Sequence, residues 1–293
     1  MVEGSQIIAI CPLVNFQISG VLIGDHTPDE AREYFRDLGG KLRKGIEIWS
    51  NFRIRQISKE DIDAVKKFGM LAYWAGISRI TYRTLVIEIL HKSMEEHKEI
   101  LRRIYKLLLA MRLYKADDVF CKVVWFVENA KIKRLTILDA PVPERMGAPY
   151  AIRIDEIDRI KKIANRIKRI DFDKRTSLRI ACERFSRSYE EHREDERIID
   201  FMIAFESLFL RGKKAPANTG QFIGLGCSML LGKNDTQRER INEFLVEAYR
   251  IRNKIVHGSE FVTSIPIHNK KYEIQDFILQ LQNYLRESIK NLL

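Results

Sequence analysis

The sequence is poor in cysteine, and none of it is paired at short range. Its four cysteines, Cys11, Cys121, Cys182 and Cys227, are too scattered for a zinc ligand set or a redox motif. They read as reduced, mostly buried thiols of a cytoplasmic protein rather than a disulfide framework. Long apolar runs are lacking too. Charges such as Asp200 and Glu206 cut every hydrophobic stretch before it reaches the ~20 residues a membrane helix needs. Glu3 precedes the first apolar stretch and no basic segment does, so the start does not read as a secretory signal. No cluster of His, Cys, Asp and Glu has metal-ligand spacing, which argues against zinc and two-metal hydrolases. No serine or cysteine nucleophile constellation stands out either. The glycine-bearing "GQFIGLGCSMLLGK", from Gly220, lacks the spacing and the hydroxyl after lysine that a P-loop requires. It reads as a tightly packed helix. No metal or other cofactor is expected.

What is present is positive charge on an ordinary globular composition. The apolar fraction of 45% supports a buried core, and 293 residues suffice for two domains. The formal net charge of +11 favours polyanionic partners such as RNA or DNA. The densest basic stretch is "IKKIANRIKRI", Ile160 to Ile170, which contains no acid. Its isoleucines at 160, 163, 167 and 170 fall at helical spacing, so Lys161, Lys162 and Arg166 lie on a basic helix surface. That surface is either a solvated face or one that lies along a phosphate backbone.

The two halves carry different patterns. "QIIAICPLVNFQISGVLIG" predicts two strands, and "GIEIWSNFRIRQI", "RITYRTLVIEIL", "DVFCKVVWFVEN" and "KRLTILDA" predict one each. "TPDEAREYFRDLGGKL" predicts a helix capped by Thr27, with Pro28 first and an end at Gly39-Gly40. "SKEDIDAVKKFGMLAYWAG" predicts a helix with Ser58 and Asp61 close to a capping box. "EEHKEILRRIYKLLLAMRLYK" predicts a third helix. The first half, about residues 1–145, is therefore an α+β domain with no recognised role. The proline-bearing "DAPVPERMGAPYAIRID", Asp139 to Asp155, predicts the boundary. Beyond it, strand signals nearly vanish. Helical patterns run over roughly 153–170, 174–190, 194–211, 219–232, 236–257 and 273–292, which makes residues 151–293 a helical bundle. "RGKKAPANTG", from Arg211, reads as a basic loop able to meet a partner.

The stretch "YRIRNKIVHG", Tyr249 to Gly258, closes one of these helices. At ~100° per residue, Ile241, Phe244, Ala248, Ile251 and Ile255 form a core-facing stripe. Val246, Tyr249, Asn253 and Val256 form a second stripe ~140–160° from Ile251. Arg252 and His257 fall on its two margins. A helix with two such stripes is covered twice, once by its own core and once by a neighbouring helix or a second subunit. An arginine fork suits a phosphate, and a histidine suits proton transfer near neutral pH. The plainer reading is a helix end with Gly258 at C′ and basic groups beside the C-terminal dipole.

"RNKIVH", Arg252 to His257, resembles the R-x4-H motif of HEPN domains, with a polar residue after the arginine. Upstream, "ACERFSRSYEEHREDERIIDFMIAFESLFL" resembles the stretch of ApeA-like HEPN domains that joins an "RF" segment to an "ALESLF"-type helix. "EAYRIRNKIVHG" resembles that family's closing "Y-x-x-R-x-x-x-x-H-G" element. The resemblance covers roughly residues 155–293. It implies an all-α HEPN-like bundle after the α+β domain, dimerising through the Tyr249–His257 helix to form a composite cleft. It also implies a metal-independent endoribonuclease that uses the substrate's own 2′-hydroxyl as nucleophile. His257 is then the general acid/base and Arg252 stabilises charge on the phosphoryl group. Asn253 orients His257 or the phosphate. Glu206 is either a helper paired with Arg252 or half of a structural salt bridge. Lys161, Lys162, Arg166 and Lys254 are candidate RNA contacts. The alternative is a non-catalytic HEPN module that binds RNA, a nucleotide or a protein.

Overall fold

The β-branched stretches of the N-terminal half pair into one antiparallel sheet, and the C-terminal part is largely helical. The computed structural model describes residues 7–14, 16–19, 28–68, 85–91, 97–116, 119–129, 131–138, 150–210, 218–258, 263–267 and 270–293. The chain divides into two compact units, residues 1–165 and 166–293. Among the described residues no helix is long and apolar enough to cross a membrane.

In the first unit, strands β1 (Ile7–Val14), β3 (Ile46–Trp49), β4 (Phe52–Gln56), β5 (Leu85–His91), β7 (Val123–Glu128) and β8 (Lys131–Ile137) run in the order β3-β4-β5-β1-β7-β8. The short β6 (Phe120–Cys121) also pairs with β1. A separate parallel pair joins β2 (Phe16–Ser19) to β9 (Tyr150–Arg153). The helices are α1 (Pro28–Lys44), α2 (Lys59–Phe68) and α3 (His97–Tyr114). Ile62 and Val65 of α2 pack with Ile10, Val86, Val123 and Trp125 of the sheet in a buried core. The α2 capping box forms as its sequence predicts. Asp61 accepts from the Ser58 backbone at 2.8 Å, and Ser58 Oγ accepts from the Asp61 backbone at 3.2 Å.

Four local expectations are corrected. Helix α1 does not stop at Gly39-Gly40; it runs to Lys44 and ends where Gly45 takes φ +88°. "GIEIWSNFRIRQI" is not one strand but the hairpin β3–β4, turned at Asn51 with φ 61°. Cys11 and Cys121 are not free thiols. The pairing of β1 with β6 brings their Cα atoms to 6.4 Å, and they form a disulfide. Cys182 and Cys227 are free and buried, as expected. A strand pair also stands inside the helical half, described below. Thr27, residues 69–76 of the second helical pattern, Asp139 to Pro149 and Arg211 to Ala217 lie outside the described residues.

Helix α4 (Ile157–Arg169) carries the dense basic stretch, and the division between the units falls inside it. It buries Ile160, Ala164 and Ile167, while Lys162, Arg166, Lys168 and Arg169 are exposed. The second unit contains α5 (Thr176–Arg187), α6 (Glu194–Phe209), α7 (Thr219–Leu231), α8 (Asp235–Val256) and α9 (Ile274–Leu292). A hairpin of β10 (Ser264–Ile267) and β11 (Lys270–Glu273) stands between α8 and α9. Helices α5 and α6 pack together, α7 packs along α8, and α9 touches α5, α6 and α7. Phe244 of α8 stacks on Phe277 of α9 at 4.9 Å, with Tyr272 of β11 and Tyr284 edge-on.

Candidate functional site

Helix α8 has a start and a stop that fix the register of its motif. At its head, Asn234 Oδ1 accepts from the Gln237 backbone N–H at 2.9 Å, and Gln237 Oε1 accepts from the Lys233 backbone at 3.0 Å. At its tail, the His257 N–H donates to the Asn253 carbonyl at 3.0 Å. Gly258 follows with φ +77°, so it does serve as the left-handed C′ residue. Ile241, Phe244, Ala248 and Ile251 are buried on the core-facing side.

The second stripe is covered by a neighbouring helix at Tyr249. A Cβ placed on Gly220 of α7 would lie 3.1 Å from the Tyr249 side chain. One turn on, a Cβ at Gly224 would lie 2.4 Å from Asn242 Oδ1. These two glycines let α7 approach α8 at a distance no larger residue allows. At the far end of the stripe, Val256 is 52% exposed. Phe222, Leu225 and Met229 of α7 are exposed as well. Their 3-4 spacing places them on one face, with Phe222 about 160° from Gly220 when measured the short way round.

Arg252 is the centre of the polar cluster. Its guanidinium sits 5.8 Å from the centre of the Tyr249 ring. Nη1 donates to Asn253 Oδ1 at 3.0 Å, and Nη2 lies 3.7 Å from Glu206 Oε1. That last separation is an ion pair but too long for a hydrogen bond. Nε is buried and has no hydrogen-bond partner among the described residues. Both side chains of the pair are about three-quarters buried, Arg252 at 23% and Glu206 at 25% exposed. Burial pushes the Glu206 carboxyl above its ordinary value, and the Arg252 charge only partly opposes this.

Glu206 reaches this place because α6 packs against α8. Its neighbours Phe205 and Leu208 are buried, which leaves the carboxylate little water. The structure therefore brings Arg252, Asn253 and Glu206 together. It ties Asn253 to Arg252 rather than to the imidazole. His257 stands apart as the exposed C-cap, and its side chain has no partner among the described residues. Lys254 is exposed on the same turn. On α4, Lys161 lies 3.5 Å from Asp158, whereas Lys162 and Arg166 have no acidic partner among the described residues.

One residue of the cluster had no role assigned from sequence. Gly220 supports the Tyr249 ring, and its spacing of four from Gly224 is a close-packing signal that could have located it. Among the described residues, no group of three or more His, Cys, Asp or Glu side chains is placed to hold a metal ion. Chemically, the site offers a largely buried guanidinium without a close carboxylate partner and, apart from it at the end of the same helix, an exposed imidazole. In comparisons with known proteins, no protein-family model, curated protein or solved structure matches the chain.

Proposed function

We propose that the chain is a HEPN-type, metal-independent endoribonuclease acting in the cytoplasm, in defence or stress response. In this reading the substrate's 2′-oxygen attacks the adjacent phosphorus and the bond to the 5′-oxygen breaks. The 2′-hydroxyl proton leaves to a base and the departing 5′-oxygen receives a proton. The products are a cyclic phosphate end and a 5′-hydroxyl end. His257 carries one of these protons, and a second copy of His257 across a homodimer supplies the other. Arg252 stabilises the charge that builds on the phosphoryl oxygens. Asn253 holds the guanidinium in place. Glu206 holds it loosely from behind. Lys161, Lys162, Arg166 and Lys254 supply phosphate contacts.

The observation that carries this reading is the Arg252 guanidinium, held in the motif by a neutral hydrogen bond to Asn253 at 3.0 Å and only loosely by Glu206 at 3.7 Å. A guanidinium without a close carboxylate partner keeps terminal N–H groups that can grip phosphate oxygens in pairs. Support for the dimer comes from Val256, exposed between Asn253 and His257 in the motif, and from the exposed apolar face of α7. The test is cleavage of single-stranded and structured RNA in EDTA by the purified chain. His257→Ala should lower the rate by about 10²–10⁴-fold. Arg252→Ala should do so as well. Cleavage that survives both substitutions would overturn the assignment.

A second reading, a non-catalytic HEPN module for RNA, a nucleotide or a protein, is favoured by a different observation. Arg252 is engaged by Asn253 and Glu206, and no contact joins it to His257. That reading expects salt-dependent binding weakened by Arg252→Ala and no turnover.

A further inference from the structure

A second cluster of cations stands in the helical unit, away from the motif. Arg166 and Arg169 at the end of α4, with Lys174 and Arg175 before α5, line a cleft of about 490 Å³. Asp171 is the one carboxylate side chain in its lining, and it is committed to its own turn. It accepts from the backbone N–H groups of Asp173 at 3.2 Å and Lys174 at 3.4 Å, and it lies 3.5 Å from Lys174 Nζ. Arg175 is fixed by donating to the Leu292 carbonyl at 2.6 Å. Arg166 and Arg169 have no acidic partner among the described residues, and both are exposed. Four cations against one carboxylate side chain leave the lining with a surplus of positive charge. Two of them are guanidiniums with free forks, the group that grips phosphate oxygens in pairs.

The position of the cleft connects it to the motif through a single helix turn. Lys174 and Arg175 also line an adjoining cavity of about 400 Å³, whose lining includes Leu208 of α6. Ser207 Oγ of α6 donates to the Ser177 carbonyl at 3.1 Å, in the first turn of α5. Glu206, one residue earlier, faces Arg252. The last turn of α6 therefore presents Glu206 to the motif cluster and Leu208 to the cavity that adjoins the basic cleft.

We propose that this cleft, framed by Arg166, Arg169, Lys174 and Arg175, is a phosphate-binding subsite for the RNA strand that leads to Arg252 and His257. The proposal rests on the ribonuclease reading for the identity of the polyanion. In this proposal a strand bound at both the cleft and the motif is held at two points, and the cleft sets which bond is presented.

The test uses the full chain carrying His257→Ala, so that RNA is bound and not consumed. Affinity for a labelled single-stranded RNA is measured by fluorescence anisotropy across a salt series, with and without Arg166→Glu/Arg169→Glu. Loss of two phosphate contacts should weaken binding at least tenfold and flatten the log–log salt slope by roughly 1.4, at ~0.7 per contact. Unchanged affinity and slope overturn the subsite, even if the unmodified chain cleaves RNA. Weakened binding together with a chain that never cleaves RNA keeps the subsite and discards the nuclease. No RNA binding by either protein discards both. Inorganic tripolyphosphate serves as the second arm. If it raises the melting temperature only with the arginines intact, while RNA affinity ignores them, the RNA assignment falls to a small polyphosphate. Should the double variant not fold, Lys174→Glu is used, since that side chain is 84% exposed.

Discussion

A buried charge network in the first unit and the motif cluster in the second are satisfied to different degrees. In the first unit, Glu88 of β5 is buried between two arginines of β4, hydrogen-bonded to Nε of both Arg53 and Arg55. Arg55 in turn grips Asp61 of α2 with both terminal nitrogens, at 2.6 and 3.2 Å. Burial alone would lower the Arg55 pKa; Asp61 and Glu88 more than offset it and hold it above its usual value. The network is saturated and spans strand, strand and helix. In the second unit, Arg252 has one neutral hydrogen bond, a 3.7 Å ion pair and an unpaired Nε. A network that satisfies itself serves the fold, and one left half-satisfied has capacity for a ligand.

The sharpest way to test that contrast is to remove the centre of the saturated network. Glu88→Ala leaves Arg55 buried with Asp61 as its only carboxylate neighbour in that network, and it leaves Arg53 with the Lys44 carbonyl in place of a carboxylate. It should cost about 3–5 kcal/mol in urea denaturation. A loss well under that range would mean that Asp61 alone neutralises the site and the three-way network is redundant.

An intermediate case lies in the helical unit. Asp200 of α6 is buried and pairs with Arg184 at 2.8 Å and Arg187 at 3.5 Å. Both arginines keep contact with water, at 35% and 58% exposure, so they can rehydrate when unpaired. Asp200→Ala should therefore cost about 1.5–3 kcal/mol, the range for a hydrogen bond to a charged group. A cost equal to that of Glu88→Ala would show that solvent access does not soften the loss.

Local signals were legible wherever one residue decided the outcome. Ser58 with Asp61 announced the start of α2, Gly258 the end of α8, and the isoleucines of α4 its buried face. The core stripe of α8 followed from spacing alone. Illegible features were those settled by a competitor far away or by small differences between similar states. Gly39 and Gly40 weaken α1 by ~1 kcal/mol each, and the helix absorbs this before Gly45 ends it. Pro266 hid the β10–β11 hairpin, because proline argues against a strand unless its missing N–H faces outward, and Pro266 is exposed. Cys11 and Cys121 are 110 residues apart, so only the β1–β6 register could pair them. At the candidate site the arginine, histidine and glutamate were marked by motif and patterning. That Asn253 binds Arg252 rather than His257 was not, because it depends on side-chain rotamers at one helix end.

The smallest effect belongs to Glu206, and there the sign is the informative part. Its carboxyl is held above its ordinary value, so the folded state binds that proton more tightly than the unfolded chain does. The resulting stabilisation is complete below the unfolded value. It is lost as pH rises through the raised folded value. Glu206→Gln cannot titrate, so the wild-type protein should lose stability relative to the variant across that window, as read from urea midpoints at a series of pH values. At neutral pH the two should differ by less than about 1 kcal/mol, since the pair is partly solvated and loosely spaced. A difference curve that rises with pH instead would mean that Arg252 compensates the buried carboxylate fully. Glu206 would then be a structural partner like Glu88, and Arg252 would have that much less charge to spend on a phosphate.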